Sequence, residues 1–413
     1  MSRSRVYALL AAACILPRAV ALVHERAGLL GAYVEKSDIL AQVYLRTGTF
    51  GYVPGHPSAN TQPLYGWFLI VVYWLAGRHW WSMGTAQILI AFATALLVYE
   101  IGRRFLSRRA GVIAALIATL HPYVVWHDIH VNREILDQVL GAAMVILTLI
   151  AASRRSVAIA AALGVVSGAA ILSNTRLVVL PFVLGAYLLW RGVGWTGAVV
   201  VPALAFVVML PWLVRNDAEV GCFTITTDAR ALWKANNMQT YGLLQKGIWI
   251  DSITGPPGRP LTPQEARDHY LHGQHVSVNE CAQQSWYEHM VIRFWEHHPG
   301  EKAKLMVQST RLLWSPWVTA DTGIESSGAF HAAKHIAEPA YVIPLYILAV
   351  IGLFVVPLEF RVLALAFLVY ETLAAWVFAG TTRYRVPWDF VLALLAGAAI
   401  SRWWPLRRAS QYR

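Results

Sequence analysis

The sequence predicts an all-α polytopic membrane protein with about ten transmembrane helices. Of its 413 residues 57% are hydrophobic and 14% charged, against roughly 45–50% and about 25% in soluble domains. Apolar runs recur from Val6 to Ile400, so one membrane domain with a polar insert accounts for the length better than two or three soluble domains. Short arginine clusters separate these runs. The net charge of +11 therefore reads as membrane topology, not as a basic face for nucleic acid.

Taking roughly 20 apolar residues per span, the spans fall near 6–23, 81–101, 110–126, 135–152, 156–172, 177–190, 195–213, 340–357, 362–380 and 386–401. Arg3 and Arg5 precede a first run that Pro17 and Arg18 interrupt without a small-x-small cleavage site, which favours an uncleaved span over a signal peptide. The segment 63–77 is short for a span and reads as re-entrant or interfacial. If it does not cross, the clusters Arg3/Arg5, Arg103/Arg104/Arg108/Arg109, Arg154/Arg155, Arg191, Arg361 and Arg402/Arg407/Arg408 all face the cytoplasm, as the positive-inside rule requires. The chain then divides into an N-terminal membrane region (1–214), a periplasmic insert (215–338) and a C-terminal membrane region (339–413). The first outer loop is 24–62. Cys222 and Cys281 both fall in the insert, where an oxidising compartment permits pairing.

Chemistry-bearing residues concentrate in the outer segments. Glu35 and Asp38, three apart, share one face of any helix formed there, and either is a candidate general base; an amphipathic surface helix whose acids face water is the competing reading. Glu134 opens the fourth span, where an acid also suits a helix N-terminus. Arg383 and Arg385 lie in a short outer loop, against the topology rule, and flank Tyr384. With Arg176 and Arg215 they make four outer arginines from distant parts of the chain, a pattern suited to an anion such as phosphate. Arg18 could join them, although snorkelling to the interface is the simpler role. His297 and His298 are adjacent, point to different sides of a helix and have no third ligand at a fitting offset, which argues against zinc. No phosphate-binding loop, dinucleotide fingerprint, zinc-peptidase motif or serine elbow occurs, so ATP-driven transport has no support.

Several motifs then follow in a specific order. An acidic first loop runs into A-x-x-Y-L-x-x-G-x-F (Ala41 to Phe50), then QPLYG (Gln62 to Gly66). R-R-F-x-x-R-R-A-G follows (Arg103 to Gly111), with a span ending His121-Pro122 and an NTR turn (Asn174 to Arg176). After these come PWLVRN, W-K-A-N-N (Trp233 to Asn237), HHP, LLWSPW and RYRVP. In this order the chain resembles the lipid-linked sugar transferases of the GT-C fold, glycosyltransferase family 39, especially the bacterial relatives of protein O-mannosyltransferase and aminoarabinose transferase.

The resemblance implies a GT-C membrane fold with juxtamembrane helices in the first outer loop and a mainly helical insert. It implies sugar transfer, with inversion, from a polyprenyl-phosphate donor to a lipid, glycan or protein acceptor on the periplasmic face of a bacterial inner membrane. Membrane lipids are the other partners; nucleic acid is not one. The family's first-loop acid corresponds to Asp38 or Glu35, with Asp38 preferred, and Glu134 matches the second outer loop's acid. In some relatives that acid helps a metal or the acceptor, which leaves a divalent cation, magnesium or manganese, as the possible cofactor. Arg383, Arg385, Arg176 and Arg215 are the donor-phosphate candidates. Lys36, His56, Asn60, Gln62, Tyr65 and Tyr384 are the substrate-binding candidates. Gln62 departs from the aminoarabinose type, which has lysine there.

Two other classes remain. An O-antigen ligase or polymerase shares the span number, large outer loop and outer arginines, but uses a diphosphate-linked glycan and usually lacks an acid-bearing first loop. A secondary transporter predicts mid-span charges and repeat symmetry; Glu371 is the one acid at that depth.

Overall fold

A computed structural model describes residues 2–31, 35–319 and 329–403. Arg407 and Arg408 lie outside the described residues. Secondary structure among the described residues is helical, apart from an isolated bridge between Val53 and His56.

Helix α1 (Arg3–Glu25) is followed by α2 (Lys36–Thr47), which stops at Gly48 in the left-handed region, φ 75°. Pro63 begins α3 (Pro63–Ala76), 14 residues long. Helix α4 (Trp80–Phe105) ends in Arg103 and Arg104, both paired with Glu100. Helices α5 (Arg108–Thr119) and α6 (Pro122–His127) come next. The N-terminal region closes with α7 (Glu134–Arg154), α8 (Val157–Ser173), α9 (Leu180–Trp190) and α10 (Gly194–Val220).

Among the described residues six helices are long and apolar enough to cross a membrane: α1, α4, α7, α10, and two C-terminal ones at His335–Val355 and Leu358–Val377. That is fewer than the ten spans expected from apolar runs. The run at 110–126 is not one helix. Pro122 has no N–H to give and disfavours helical geometry at His121, which sits at φ −59°, ψ 122°. Helix α5 is thus left with 12 residues, about 18 Å, against a hydrocarbon core of roughly 30 Å. Helices α8, α9 and the final helix are also short of that length.

The break at Leu120 frees carbonyls that would otherwise bond along the helix, and other elements bond them. Arg18 Nη1 donates to Thr119 O at 2.9 Å, and the Tyr341 hydroxyl donates to Ile117 O. Arg18 does not snorkel. It is buried and donates from Nε (3.0 Å) and Nη2 (2.8 Å) to Asp128 Oδ2, while Gln138 donates to Asp128 Oδ1 at 2.8 Å. Helix α8 lies so close to α10 that a Cβ on Gly168 would be 2.7 Å from Ala205 O, the small-residue packing typical of membrane helices.

Helix α10 continues six residues into the predicted insert. Beyond it come α11 (Ala229–Lys234), α12 (Thr240–Gln245), α13 (Pro263–Leu271), α14 (Glu280–His297) and α15 (Pro299–Leu313). These helices have a small core of their own around Trp233, Tyr287 and Val291. Two neighbours at the start of α14 fasten them down: Glu280 Oε2 accepts from Ala59 N and Thr227 Oγ1, and Cys281 is disulfide-bonded to Cys222 just past α10. Helix α16 (Ala329–Val355) starts before the predicted end of the insert; α17 (Leu358–Val377), α18 (Thr382–Arg385) and α19 (Asp389–Trp403) complete the chain.

Candidate active site

A cavity of about 740 Å³ opens where the first outer loop, the start of α7, the NTR turn, the insert and the loop after α17 meet. Of the residues singled out in the sequence, Glu35, Lys36, Gln62, Arg176, Arg383 and Tyr384 line it. An apolar wall comes from Phe206, Met209 and Leu213 of α10.

Glu35 is the residue before α2, at φ −65°, ψ 152°. Its side chain is 11% exposed, Oε1 lies 3.9 Å from Arg133 Nε, and Oε2 is buried without a hydrogen-bond partner. Burial raises its pKa to about 7; the Arg133 guanidinium opposes that rise, and the Glu134 carboxylate adds to it. Such a carboxylate is half-ionised near neutrality, the range suited to a general base.

Across the cavity, Arg176 follows the end of α8. Asp137 accepts from Ser173 Oγ (2.9 Å) and Asn174 Nδ2 (2.8 Å), and Asn174 Oδ1 accepts from Arg176 N (3.2 Å), which pins the turn. The Arg176 guanidinium carbon lies 3.4 Å from the centre of the Tyr384 ring, a cation–π contact, and has no ion pair among the described residues. Arg133 donates to Gln62 Oε1, whose amide donates to Thr175 Oγ1 at 3.0 Å. Lys36 pairs with Asp228 at 2.6 Å, tying α2 to the insert.

Glu134 sits directly behind this wall. It is buried and receives Arg383 through both oxygens, at 2.6 and 3.1 Å, so this bidentate pair holds Tyr384 at the cavity edge. Among the described residues no group of three His, Cys, Asp or Glu side chains is placed to hold a metal. With Glu134 committed to Arg383, the donor set for the divalent cation is not assembled here.

Other candidates lie away from the cavity. Asp38 is fully buried on the inner side of α2, where it accepts from Tyr73 (2.6 Å), Gln42 (2.6 Å) and Arg78 (2.9 Å), so its lone pairs are occupied by donors. Arg385 is buried against Glu338 and Asp389, at 3.2 and 3.1 Å, and donates to Ser315 O. Arg215 pairs with Glu219 and holds the first loop through the carbonyls of Ser58 and Phe50. His56 is exposed at the loop bridge; Asn60 is buried and accepts from Tyr52; Tyr65 is buried and donates to Gln87. Conversely, Arg133 was not singled out from the sequence, although it is an outer arginine by the criterion that flagged Arg176.

The placement of Asp38 makes a prediction. Asp38→Asn should lower unfolding stability by about 1–3 kcal/mol, because Arg78 and Tyr73 lose a charged acceptor, yet leave turnover per folded molecule near wild type. Thermal melts beside activity in nanodiscs check this; lost turnover at an unchanged melting temperature would put Asp38 back in the chemistry.

Residues 55–214 match the dolichyl-phosphate-mannose-protein mannosyltransferase family. Among solved structures, ArnT from Cupriavidus metallidurans bound to undecaprenyl phosphate shares 15% identity, with 94% of this chain and 77% of that one covered at a TM-score of 0.41. The same protein in its apo state shares 16%, with the same coverage, at 0.37. No curated protein sequence matches the chain. The matched stretch, residues 55–214, carries the QPLYG helix, Arg133 and the NTR turn of the cavity, with Glu134 behind its wall, so this side of the site is built from the part of the chain that is similar to the dolichyl-phosphate-mannose-protein mannosyltransferase family.

Proposed function

We propose that the chain is a GT-C type enzyme that transfers a sugar from a polyprenyl-phosphate donor to an acceptor hydroxyl on the outer face of a bacterial inner membrane, with inversion. The observation that carries this reading is the pairing, across one cavity, of a buried carboxylate with a free oxygen and a guanidinium that has no ion pair among the described residues. Glu35 takes the hydroxyl proton as the acceptor oxygen bonds to the anomeric carbon. The bond from that carbon to the phosphate oxygen breaks with its electron pair staying on the phosphate, and Arg176 and Arg133 stabilise the charge. A phosphate leaving group needs no general acid, unlike the two-carboxylate glycosidase plan. The apolar wall on α10 suits a lipid carrier. The Cys222–Cys281 disulfide fits an oxidising outer compartment.

The test is transfer in nanodiscs from a panel of polyprenyl-phosphate sugars, followed across pH. The expected result is turnover from a monophosphate donor, with kcat/KM falling below about pH 7 as Glu35 becomes protonated. Use of diphosphate-linked glycans alone would replace this reading with the ligase one; substrate counterflow without transfer would replace it with a transporter.

A further inference from the structure

A second concavity, of about 610 Å³, lies outside the active site between α12 and α15. Helix α15 runs against the outer end of α17. A Cβ on Gly380 would stand 1.9 Å from Ser309 O, which is why only glycine fits there. Trp376 Nε1 donates to Thr310 at 2.8 Å, and Trp314 Nε1 donates to Thr372 at 3.0 Å. Between those contacts α15 descends beside a candidate span. Thr372 is five residues inside the end of α17, about 7–8 Å along its axis. The C-terminal half of α15 thus stands at the depth where lipid headgroups meet hydrocarbon.

On the exposed face of α15, Lys304 in its first half and Val307 and Arg311 in its second follow one another at helical spacing and line the concavity with Tyr241 and Leu244. Arg311 has no ion pair among the described residues. Among the described residues Lys304 is paired only with Glu301 of its own helix, in an exposed i,i+3 bridge of the kind that contributes little and exchanges readily. Val307 is 62% exposed and Trp317, just beyond the helix, 54%, so apolar surface continues from the cations toward the bilayer. An exposed guanidinium at this depth calls for an anionic partner.

We infer that this groove seats the phosphate headgroup of a bilayer lipid, held bidentately by Arg311 and by Lys304 as a second cation, with the lipid tail against Val307 and Trp317. The site is independent of sugar transfer. It fixes the edge of the insert to the membrane surface beside the loop that carries Arg383.

Native mass spectrometry of the full chain, released from phosphatidylcholine nanodiscs with and without phosphatidylglycerol, tests this. Wild type should retain phosphatidylglycerol. Lys304→Ala/Arg311→Ala should bind it roughly 25-fold more weakly, about fivefold per cation, whereas Arg3→Ala/Arg5→Ala, with the same charge removed elsewhere, should not. Equal loss in both double variants would reduce the effect to net charge and overturn the site, as would full retention in the groove variant. Displacement of the lipid by inorganic phosphate alone would also overturn it, since free phosphate would then be the ligand.

Discussion

Glu35→Gln is expected to reduce kcat for sugar transfer about 10²–10⁴-fold, the usual contribution of a general base, without loss of folded protein. The two halves of this expectation have one cause. Burial raises the carboxyl from 4.5 to about 7, so above that pH the folded state carries an anion it disfavours by about 3 kcal/mol relative to the unfolded chain. The sign follows from proton counting: between pH 4.5 and 7 the folded state binds more protons, and stability falls as pH rises through that window. A neutral amide of the same shape removes this penalty. The Gln variant should therefore melt no lower than wild type at pH 8 while losing transfer, and its acid limb near pH 7 should vanish from any residual activity. Wild-type turnover in Glu35→Gln would remove Glu35 from the reaction.

Arg176→Ala should have an effect of similar size, about 10²–10³ in transfer, as expected when one preorganised donor is lost from a developing anion. Its expression and melting should change little. Among the described residues no carboxylate is ion-paired with it, so none of them loses such a partner, and the loss on the protein side is the ring contacts with Tyr384 and Phe378, about 0.5–2 kcal/mol. Arg176→Lys separates charge from shape: the ammonium keeps the cation but lacks the planar fork, so partial recovery is expected, mostly in kcat. Comparison with Arg383→Ala adds a contrast. That change strands the buried Glu134 carboxylate and should cost about 3–5 kcal/mol of stability, a loss visible in melting as well as in turnover. If Arg176→Ala behaves the same way, its role is structural.

Much of this architecture is legible in the sequence because it depends on local pattern. The positions of α1, α4, α7, α10, α16 and α17 follow from apolar runs, although α10 and α16 extend beyond theirs, and the turn at Asn174 follows from a polar triplet between two such runs. The helix carrying Asp38, with Glu35 immediately before it, is likewise a local matter. Even the break before α6 has its signal in His121-Pro122; counting apolar residues overrode it, because hydropathy does not register a missing N–H.

Partner choice is different, since it is set by residues distant in the chain. Asp38 and Glu35 are equivalent acids in the sequence. Helix α2 turns one toward Arg78, forty positions away, and its start leaves the other beside Arg133 at the cavity. Arg383 and Arg385 are only two apart, yet one reaches Glu134 and the other Glu338 and Asp389. By itself the sequence determined that this is a helical membrane protein with acids and arginines gathered in the segments between its apolar runs, because composition and periodicity dictate which segments leave water. Only the tertiary structure decided which of those charges are neutralised by a buried partner and which face the cavity, because burial and the distance between charges control both their pKa and their availability.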